Sequence, residues 1–248
     1  MQNKLIKLLI KKKSLGQNFL TDKNIANKII ALTVIKNKYV LEIGPGLGFL
    51  TDEIIKKEPK ELILIEKDNE ICKFLRDKYK NINEIKIFNL DVLDFNYESE
   101  VKNNTNVISN LPYNLSTKII LDILKNKKYF NELVLMVQKE VANKMDYNNL
   151  QKFNKYKFLI EACGKYKICF NVSNNVFIPK PKVQSSVIKI KLNNKDFDFD
   201  KLIIFSNKIF KSKRKKISNL ININDNIIRD KRAEDLEFND LIKLFNIF

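Results

Sequence analysis

The tetrapeptide Asn110-Leu111-Pro112-Tyr113 combines residue types that can activate an adenine amino group. That amine is a poor nucleophile, because its lone pair is delocalised into the ring. The side-chain oxygen of Asn110 and the carbonyl of Leu111 can each accept one amine hydrogen, and Pro112 restricts the backbone that presents this carbonyl. Tyr113 offers a stacking face to an extruded base, a contact that contributes about 1–3 kcal/mol. The four residues therefore predict group transfer to an adenine amine, although Asn and Pro also occur together in ordinary turns.

Histidine is absent from the chain, which excludes Ser-His-Asp and Cys-His catalysis. A mechanism built on an amide and a carbonyl fits this absence, because a methylated ammonium group is acidic and needs no strong base. The three cysteines have no metal-binding spacing, so we expect no metal, a reducing compartment and a cytoplasmic protein.

Three of the five glycines lie in one short loop, at positions 44, 46 and 48 of the run EIGPGLG (42–48). The loop follows a predicted strand and opens a predicted helix, where a cofactor can approach the backbone closely. A nicotinamide-binding G-x-G-x-x-G motif would place its third glycine at Phe49, and no Walker lysine follows. Taken alone, the loop is equally compatible with a turn that binds nothing.

Two acidic residues follow neighbouring predicted strands and favour a bound ligand. Glu66 can accept hydrogen bonds from both ribose hydroxyls of an adenosine, and Asp91 can accept one from an adenine amino group. The carboxyl ends of parallel strands line one crevice, so the glycine loop, Glu66 and Asp91 are predicted to converge on one adenosine-bearing ligand.

The elements that must position these residues follow from the hydrophobic pattern. Apolar runs predict strands at 39–43, 62–65, 85–90, 107–109 and 133–137, with amphipathic helices at 49–57, 69–79 and 116–124 between them. Such a pattern is typical of an α/β fold, with a mostly parallel sheet covered by helices on both faces. A further strand is predicted at 187–191, and the chain is predicted to be helical after 193–200. We therefore predict a catalytic domain over 1–192 and a small helical domain over 193–248.

The formal net charge of +17 favours a polyanionic partner such as nucleic acid, although Lys, Asn and Ile are abundant throughout the chain. The charge is densest on a predicted helix that carries Lys211, Lys213, Arg214, Lys215 and Lys216. These residues predict an RNA-contacting surface, and the alternative is a solvated lysine-rich face. No apolar run approaches the roughly 20 residues that a membrane span needs, so no membrane partner is expected.

The ordered motifs resemble those of the small-subunit ribosomal RNA adenine dimethyltransferases, the kasugamycin-sensitivity methyltransferases. The resemblance covers nearly the whole chain, through SLGQNFL (14–20), EIGPG (42–46), Glu66, Asp91, NLPYN (110–114), QKEVA (138–142), FIPKPKV (177–183), Ser185 or Ser186, Arg214-Lys215 and Arg232-Ala233-Glu234. It implies a class I S-adenosylmethionine-dependent methyltransferase fold with a small helical C-terminal domain. It also implies transfer of two methyl groups to each of two adjacent adenosines near the 3′ end of small-subunit rRNA, within a pre-ribosomal particle, and a role in subunit maturation.

The resemblance also implies roles for individual residues. Asn18 and Leu20 would contact the methionine end of S-adenosylmethionine, and Gly44 would line its pocket. Glu66 would bind the ribose and Asp91 the adenine, whereas Asn110 would touch both the cofactor and the target amine. Phe177 would close on the face of the target base opposite Tyr113.

Two departures from the family pattern concern ribosome contact rather than methyl transfer. Residues 145–158 lack the glycine that family members usually carry after the Gln-Lys-Glu motif, and the C-terminal part is trimmed. We expect a monomer. The alternatives that remain open are a large-subunit adenine methyltransferase of the macrolide-resistance type, a non-catalytic assembly factor and, from a different class, a nicotinamide oxidoreductase.

Overall fold

The structure is a computed structural model that describes residues 18–146, 152–212, 215–222 and 228–248. Its strands are β1 (Phe19–Leu20), β2 (Tyr39–Ile43), β3 (Glu61–Glu66), β4 (Ile85–Asn89), β5 (Thr105–Asn110), β6 (Phe130–Gln138), β7 (Gly164–Val172), β8 (Phe177–Ile178) and β9 (Ser185–Leu192). Its α-helices are α1 (Lys23–Ile30), α2 (Phe49–Ile55), α3 (Asn69–Lys78), α4 (Tyr97–Glu100), α5 (Ser116–Lys125), α6 (Lys139–Met145), α7 (Lys155–Cys163), α8 (Phe199–Lys211) and α9 (Phe238–Ile247). Each predicted strand, and each predicted helix between residues 39 and 137, is present.

Seven strands form one sheet in the order β4-β3-β2-β5-β6-β9-β7. The neighbours from β4 to β6 pair in parallel, and β9 pairs antiparallel with β6. Helices α2, α3 and α5 connect successive parallel strands, as crossover connections between such strands require. The predicted α/β fold with a mostly parallel sheet is therefore confirmed.

The strand order reverses between β2 and β5, which lie side by side although they are distant in sequence. Val40 pairs with Asn106 and Leu41 with Val107. The connection from β2 leads to β3, toward one edge of the sheet, and the connection from β5 leads to β6, toward the other edge. Such a switch point opens a crevice beyond the carboxyl ends of the two strands, and ligands of open α/β sheets bind there.

The core beside the glycine loop is built from buried aliphatic side chains of the strands and of helices α1 to α3, including Ile29, Leu50, Leu64 and Leu75. Strands β2 and β3 are buried almost throughout, which explains their continuous apolar sequence. The side chain of Asp22 caps α1 by accepting one main-chain N–H group in the first turn, and that of Asp68 caps α3 by accepting two.

The chain divides into two compact units. The first comprises residues 1–142 and 167–191, and the second comprises 143–166 and 192–248. The predicted domains differ from these units in residues 143–166 and in residue 192, which were predicted to belong to the catalytic domain. Helices α7, α8 and α9 form the second unit around stacked and tilted phenylalanine pairs such as Phe158 with Phe205 and Phe238.

Several short elements have no predicted counterpart, among them helices α1, α6 and α7 and strands β1, β7 and β8. Strands β1 and β8 form a two-stranded antiparallel ribbon, in which Leu20 pairs with Phe177 and Phe19 with Ile178. No helix of the described residues has both the length and the apolar character needed to cross a membrane.

Candidate active site

A cavity of about 650 Å³ lies at the switch point of the sheet. Its lining comes from the glycine loop after β2 and from the segments that follow β3, β4 and β5, together with β1 and Ile178. Of the residues predicted to act here, the lining includes Asn18, Leu20, Gly44, Glu66, Asp91, Asn110, Leu111, Pro112 and Tyr113. The structure therefore brings these residues together around one space, as the predicted convergence at the strand ends requires.

The glycine loop can come close to its neighbours only because its three glycines lack side chains. Gly44, Gly46 and Gly48 all have positive φ angles, of 65°, 55° and 79°. A Cβ atom at position 46 would lie 2.8 Å from the ring of Phe19, and one at position 48 would lie 2.2 Å from the hydroxyl of Tyr79. Both the backbone conformation and the packing thus demand glycine at 46 and 48.

Two side chains at the end of α3 anchor the glycine loop. The hydroxyl of Tyr79 donates to the carbonyl of Gly48 at 3.1 Å and contacts the carboxylate of Asp52 at 2.7 Å. Lys78 donates to the carbonyl of Leu47 at 3.1 Å and to Asp52 at 2.7 Å. These residues were missed in the sequence, because a Lys-Tyr pair at a helix end gives no indication of what it packs against.

Glu66 ends β3 with its side chain almost fully buried, at 4% exposure. One carboxylate oxygen accepts the main-chain N–H of Asp68 at 2.9 Å, and the other accepts that of Gly46 at 3.3 Å. Burial raises the pKa of Glu66, and these hydrogen bonds oppose the rise. Each carboxylate oxygen keeps acceptor capacity for ligand hydroxyl groups, since it has more than one lone pair.

Asp91 follows β4 and is partly exposed at the rim of the cavity. Its carboxylate accepts a hydrogen bond from Lys67 at 2.8 Å and one from the main-chain N–H of Leu93 at 3.1 Å. The hydrogen bond from Lys67 lowers the pKa of Asp91 below its usual range, so the group is an anionic acceptor at neutral pH.

A third carboxyl group, that of Glu42, lies in the lining and was not assigned a role from the sequence. It is 1% exposed and accepts a hydrogen bond of 2.7 Å from the hydroxyl of Thr51. Burial raises the pKa of Glu42 to about 8, although the Thr51 hydrogen bond opposes the rise. The sequence shows a carboxyl group two residues before Gly44, but it does not show that this group is buried.

Asn110 is the last residue of β5, and its side-chain amide is held by one hydrogen bond. Its Nδ2 donates to the main-chain carbonyl of Asn18 at 3.1 Å. Its Oδ1 is buried and has no hydrogen-bond partner among the described residues. Since buried acceptors are nearly always satisfied, an orphaned oxygen in a cavity wall indicates a place for a ligand donor.

Tyr113 lines the same cavity and is held at both of its ends. Its main-chain carbonyl accepts a hydrogen bond from the hydroxyl of Ser116 at 3.2 Å, and its phenol shares one of 2.6 Å with the hydroxyl of Ser185. Burial raises the pKa of Tyr113, so its phenol is neutral at physiological pH.

The structure does not place Phe177 at the cavity. Its ring is 2% exposed and belongs to the hydrophobic core, whereas the next residue, Ile178, is 40% exposed and lines the cavity. Successive side chains of a strand point to opposite faces, so β8 can present only one of the two residues to the cavity. Contact between Phe177 and a target base would require the ring to leave its packing, and this role stays a prediction.

Two of the predicted RNA-contacting residues, Lys213 and Arg214, lie outside the described residues. The other three belong to the second unit. Lys211, Lys215 and Lys216 are exposed. The prediction that one helix carries them is wrong for Lys215 and Lys216, because α8 ends at Lys211. Lys216 forms an ion pair of 3.0 Å with Asp230, which offsets part of its charge.

Residues 14–17, the first part of the SLGQNFL motif, lie outside the described residues. Among the residues that are described, no cluster of metal-ligating side chains occurs.

Comparisons with known proteins match this chain to one family. The family model for ribosomal RNA adenine dimethylase matches residues 9–244. Ribosomal RNA small subunit methyltransferase A of Malacoplasma penetrans is 42% identical over 229 residues, which cover 88% of this chain and 82% of that protein.

Two solved structures share the fold. A dimethyladenosine transferase from Plasmodium falciparum has a TM-score of 0.77 at 23% identity, with 91% of this chain and 95% of that chain covered. The 23S rRNA methyltransferase ErmE has a TM-score of 0.74 at 20% identity, with 92% and 98% covered. At these identities the likeness concerns the fold alone.

Proposed function

The chain belongs to the ribosomal RNA adenine dimethylase family, and we propose that it dimethylates two adjacent adenosines near the 3′ end of small-subunit rRNA with S-adenosylmethionine as methyl donor. The observation that carries the proposal is the buried Oδ1 of Asn110, which finds no hydrogen-bond partner in the described part of the chain and lies in the wall of a cavity that also contains Glu66 and Asp91. The cavity thus offers one acceptor to the amine of a target base and two acceptors to the adenosine of the cofactor.

The residues present fit S-adenosylmethionine. Glu66 has acceptor capacity for ribose hydroxyls, and Asp91 offers an anionic acceptor to the adenine amine. The bare backbone of Gly44 allows a ligand to approach closely, and Asn18 and Leu20 line the cavity at the position proposed for the methionine end. When bound, this cofactor supplies an activated methyl group.

The target amine is activated by the chain's own acceptors. Oδ1 of Asn110 accepts one amine hydrogen and the carbonyl of Leu111 accepts the other, which concentrates the nitrogen lone pair toward the methyl donor. Tyr113 stacks against the extruded base and fixes its orientation. Positioning and electrostatics of this kind require no histidine and no metal ion.

Labelled methyl transfer to purified subunits tests the substrate. We expect label in unmethylated small subunits, at two adjacent adenosines near the 3′ end, and none in large subunits. Label in large subunits alone would replace the proposal with a macrolide-resistance type activity. The 42% identity to a small-subunit enzyme favours the first outcome, since ErmE is related at the level of the fold.

The partner in this proposal is small-subunit rRNA within a pre-ribosomal particle, in the cytoplasm, and the enzyme acts as a monomer with a role in subunit maturation. Sedimentation of the purified protein alone and with precursor particles tests both statements. A stable dimer, or association with large-subunit precursors only, would contradict them.

A further inference from the structure

The hydroxyl groups of Tyr113 and Ser185 share a hydrogen bond of 2.6 Å that joins the tetrapeptide to β9. Ser185 is the first residue of β9, is fully buried, and pairs across the sheet with Gln138 of β6. Tyr113, in contrast, lies in the connection between β5 and α5. A residue fixed in the sheet therefore holds the outer end of a side chain that belongs to a loop.

This hydrogen bond determines the orientation of the Tyr113 ring. The first side-chain torsion of tyrosine swings the ring together with its hydroxyl, whereas the hydroxyl oxygen lies on the axis of the second torsion. The other end is fixed where the carbonyl of Tyr113 accepts a hydrogen bond from Ser116. Fixing the hydroxyl as well holds the long axis of the ring in one direction.

We propose that Ser185 is a positioning residue for the target base, because it fixes the direction of the Tyr113 ring on which that base stacks. The inference rests on the proposed function and adds to it a residue that does not line the cavity. Stacking geometry places the amine relative to the acceptors on Asn110 and Leu111, and small displacements in such arrangements cost large factors in rate.

The neighbouring residue provides a matched control. Ser186 is also fully buried on β9, and its hydroxyl donates to Oδ1 of Asn171 at 2.8 Å. Successive side chains of a strand point to opposite faces, so Ser186 faces away from Tyr113. Ser185→Ala and Ser186→Ala each remove one hydroxyl and one buried hydrogen bond from adjacent positions.

The experiment measures methyl transfer to small subunits for the wild type, Ser185→Ala, Ser186→Ala, Tyr113→Phe and the double variant Ser185→Ala/Tyr113→Phe. We expect kcat to fall about tenfold for Ser185→Ala and for Tyr113→Phe, the effect of one lost hydrogen bond on a rate, with little change in KM. The double variant should lose no more than either single variant, because both changes break the same bond. Ser186→Ala should retain wild-type kcat, and all variants should titrate S-adenosylmethionine with the same Kd.

Three results would overturn the inference: additive losses in the double variant, equal losses of kcat in Ser185→Ala and Ser186→Ala, or wild-type kcat in Tyr113→Phe. Thermal unfolding of each variant separates a general loss of folded protein from a specific loss of rate. Failure of the wild type to label small subunits is a different result, which would overturn the proposed function itself.

Discussion

The side-chain amide of Asn110 donates to the main-chain carbonyl of Asn18 at 3.1 Å, and this hydrogen bond ties the first described residue to the end of β5. The two ends of the carboxamide consequently differ in their surroundings. The nitrogen is occupied and fixes the plane of the group, while the buried oxygen has no partner among the described residues. An unsatisfied buried acceptor costs free energy, which a ligand donor at this position would recover.

Replacement of Asn110 tests this division between the two atoms. Asn110→Ala should lower kcat for methyl transfer by at least about a hundredfold, comparable to removal of one preorganised polar group from an active site. Binding to small subunits should change little, because RNA affinity depends mainly on phosphate contacts elsewhere. Labelled transfer and a subunit-binding assay measure the two effects separately.

Asn106 supplies the control for that experiment, since it lies on the same strand at its opposite end. Its side-chain amide donates to Thr33 and to the carbonyl of Val34, at 3.1 and 2.9 Å. Asn106→Ala should lower the free energy of unfolding and leave kcat per folded molecule unchanged. Methyl transfer that survives in Asn110→Ala would contradict the acceptor mechanism and would favour a non-catalytic role for the tetrapeptide.

The parts of this site that could be predicted depend on local pattern. Glu66 and Asp91 were found by counting to the ends of apolar runs, because strand ends in a parallel sheet meet at one edge. The bond between Tyr113 and Ser185 could not be found in this way, since it joins residues 72 positions apart whose contact depends on the placement of β9.

The burial of individual side chains also could not be predicted from the sequence. Glu42 and Glu66 are the same residue type near strand ends, and only the structure distinguishes the deeper environment of Glu42. Similarly, Phe177 was expected at the target base from a motif, whereas the two-residue strand β8 places Ile178 at the cavity. A strand of two residues has too little periodicity to predict which side chain faces inward.

Alanine at Gly48 should destabilise the protein more than alanine at Gly44. Both residues have positive φ, so each substitution costs about 1–2 kcal/mol from the backbone alone. At position 48 the new Cβ would also lie 2.2 Å from the Tyr79 hydroxyl, whereas at position 44 the nearest atom would be Pro112 Cδ at 3.9 Å. Urea unfolding of the two variants measures the difference.

The double variant Gly48→Ala/Tyr79→Phe isolates the steric contribution. Removal of the hydroxyl relieves the closest contact, so unfolding free energy should recover in part relative to Gly48→Ala alone. Tyr79→Phe by itself should destabilise, because the carbonyl of Gly48 and the carboxylate of Asp52 lose a partner. Equal losses for alanine at 44 and 48 would show that the clash is absorbed elsewhere.

The buried carboxyl of Glu42 should make stability depend on pH. Its pKa is raised by burial from 4.5 to about 8 in the folded chain, so the folded state binds this proton more tightly than the unfolded state. The corresponding stabilisation is complete below the unfolded pKa and is lost as pH rises toward the folded pKa. Glu42→Gln should remove this loss, which is on the order of a few kcal/mol.

Unfolding free energies of wild type and Glu42→Gln, measured from about pH 5 to about pH 9, give the comparison. The difference between the two curves isolates Glu42, because the raised pKa of Glu66 contributes to both. We expect the wild type to lose stability across this range and the variant to lose less. Parallel curves would mean that Glu42 is ionised in the folded protein.

Charge reversal in the basic segment of the second unit tests the predicted RNA contact. Lys211 and Lys215 are exposed, and Lys216 is left intact because Asp230 already offsets its charge. Lys211→Glu and Lys215→Glu should each weaken binding to small subunits and reduce the slope of log K against log salt by about one, the effect of one lost phosphate contact. Lys165→Glu, an equal change of charge at an exposed position of the same unit, is the control. If all three variants weaken binding to the same extent, the effect is one of net charge, and the basic segment is a solvated face rather than an RNA contact.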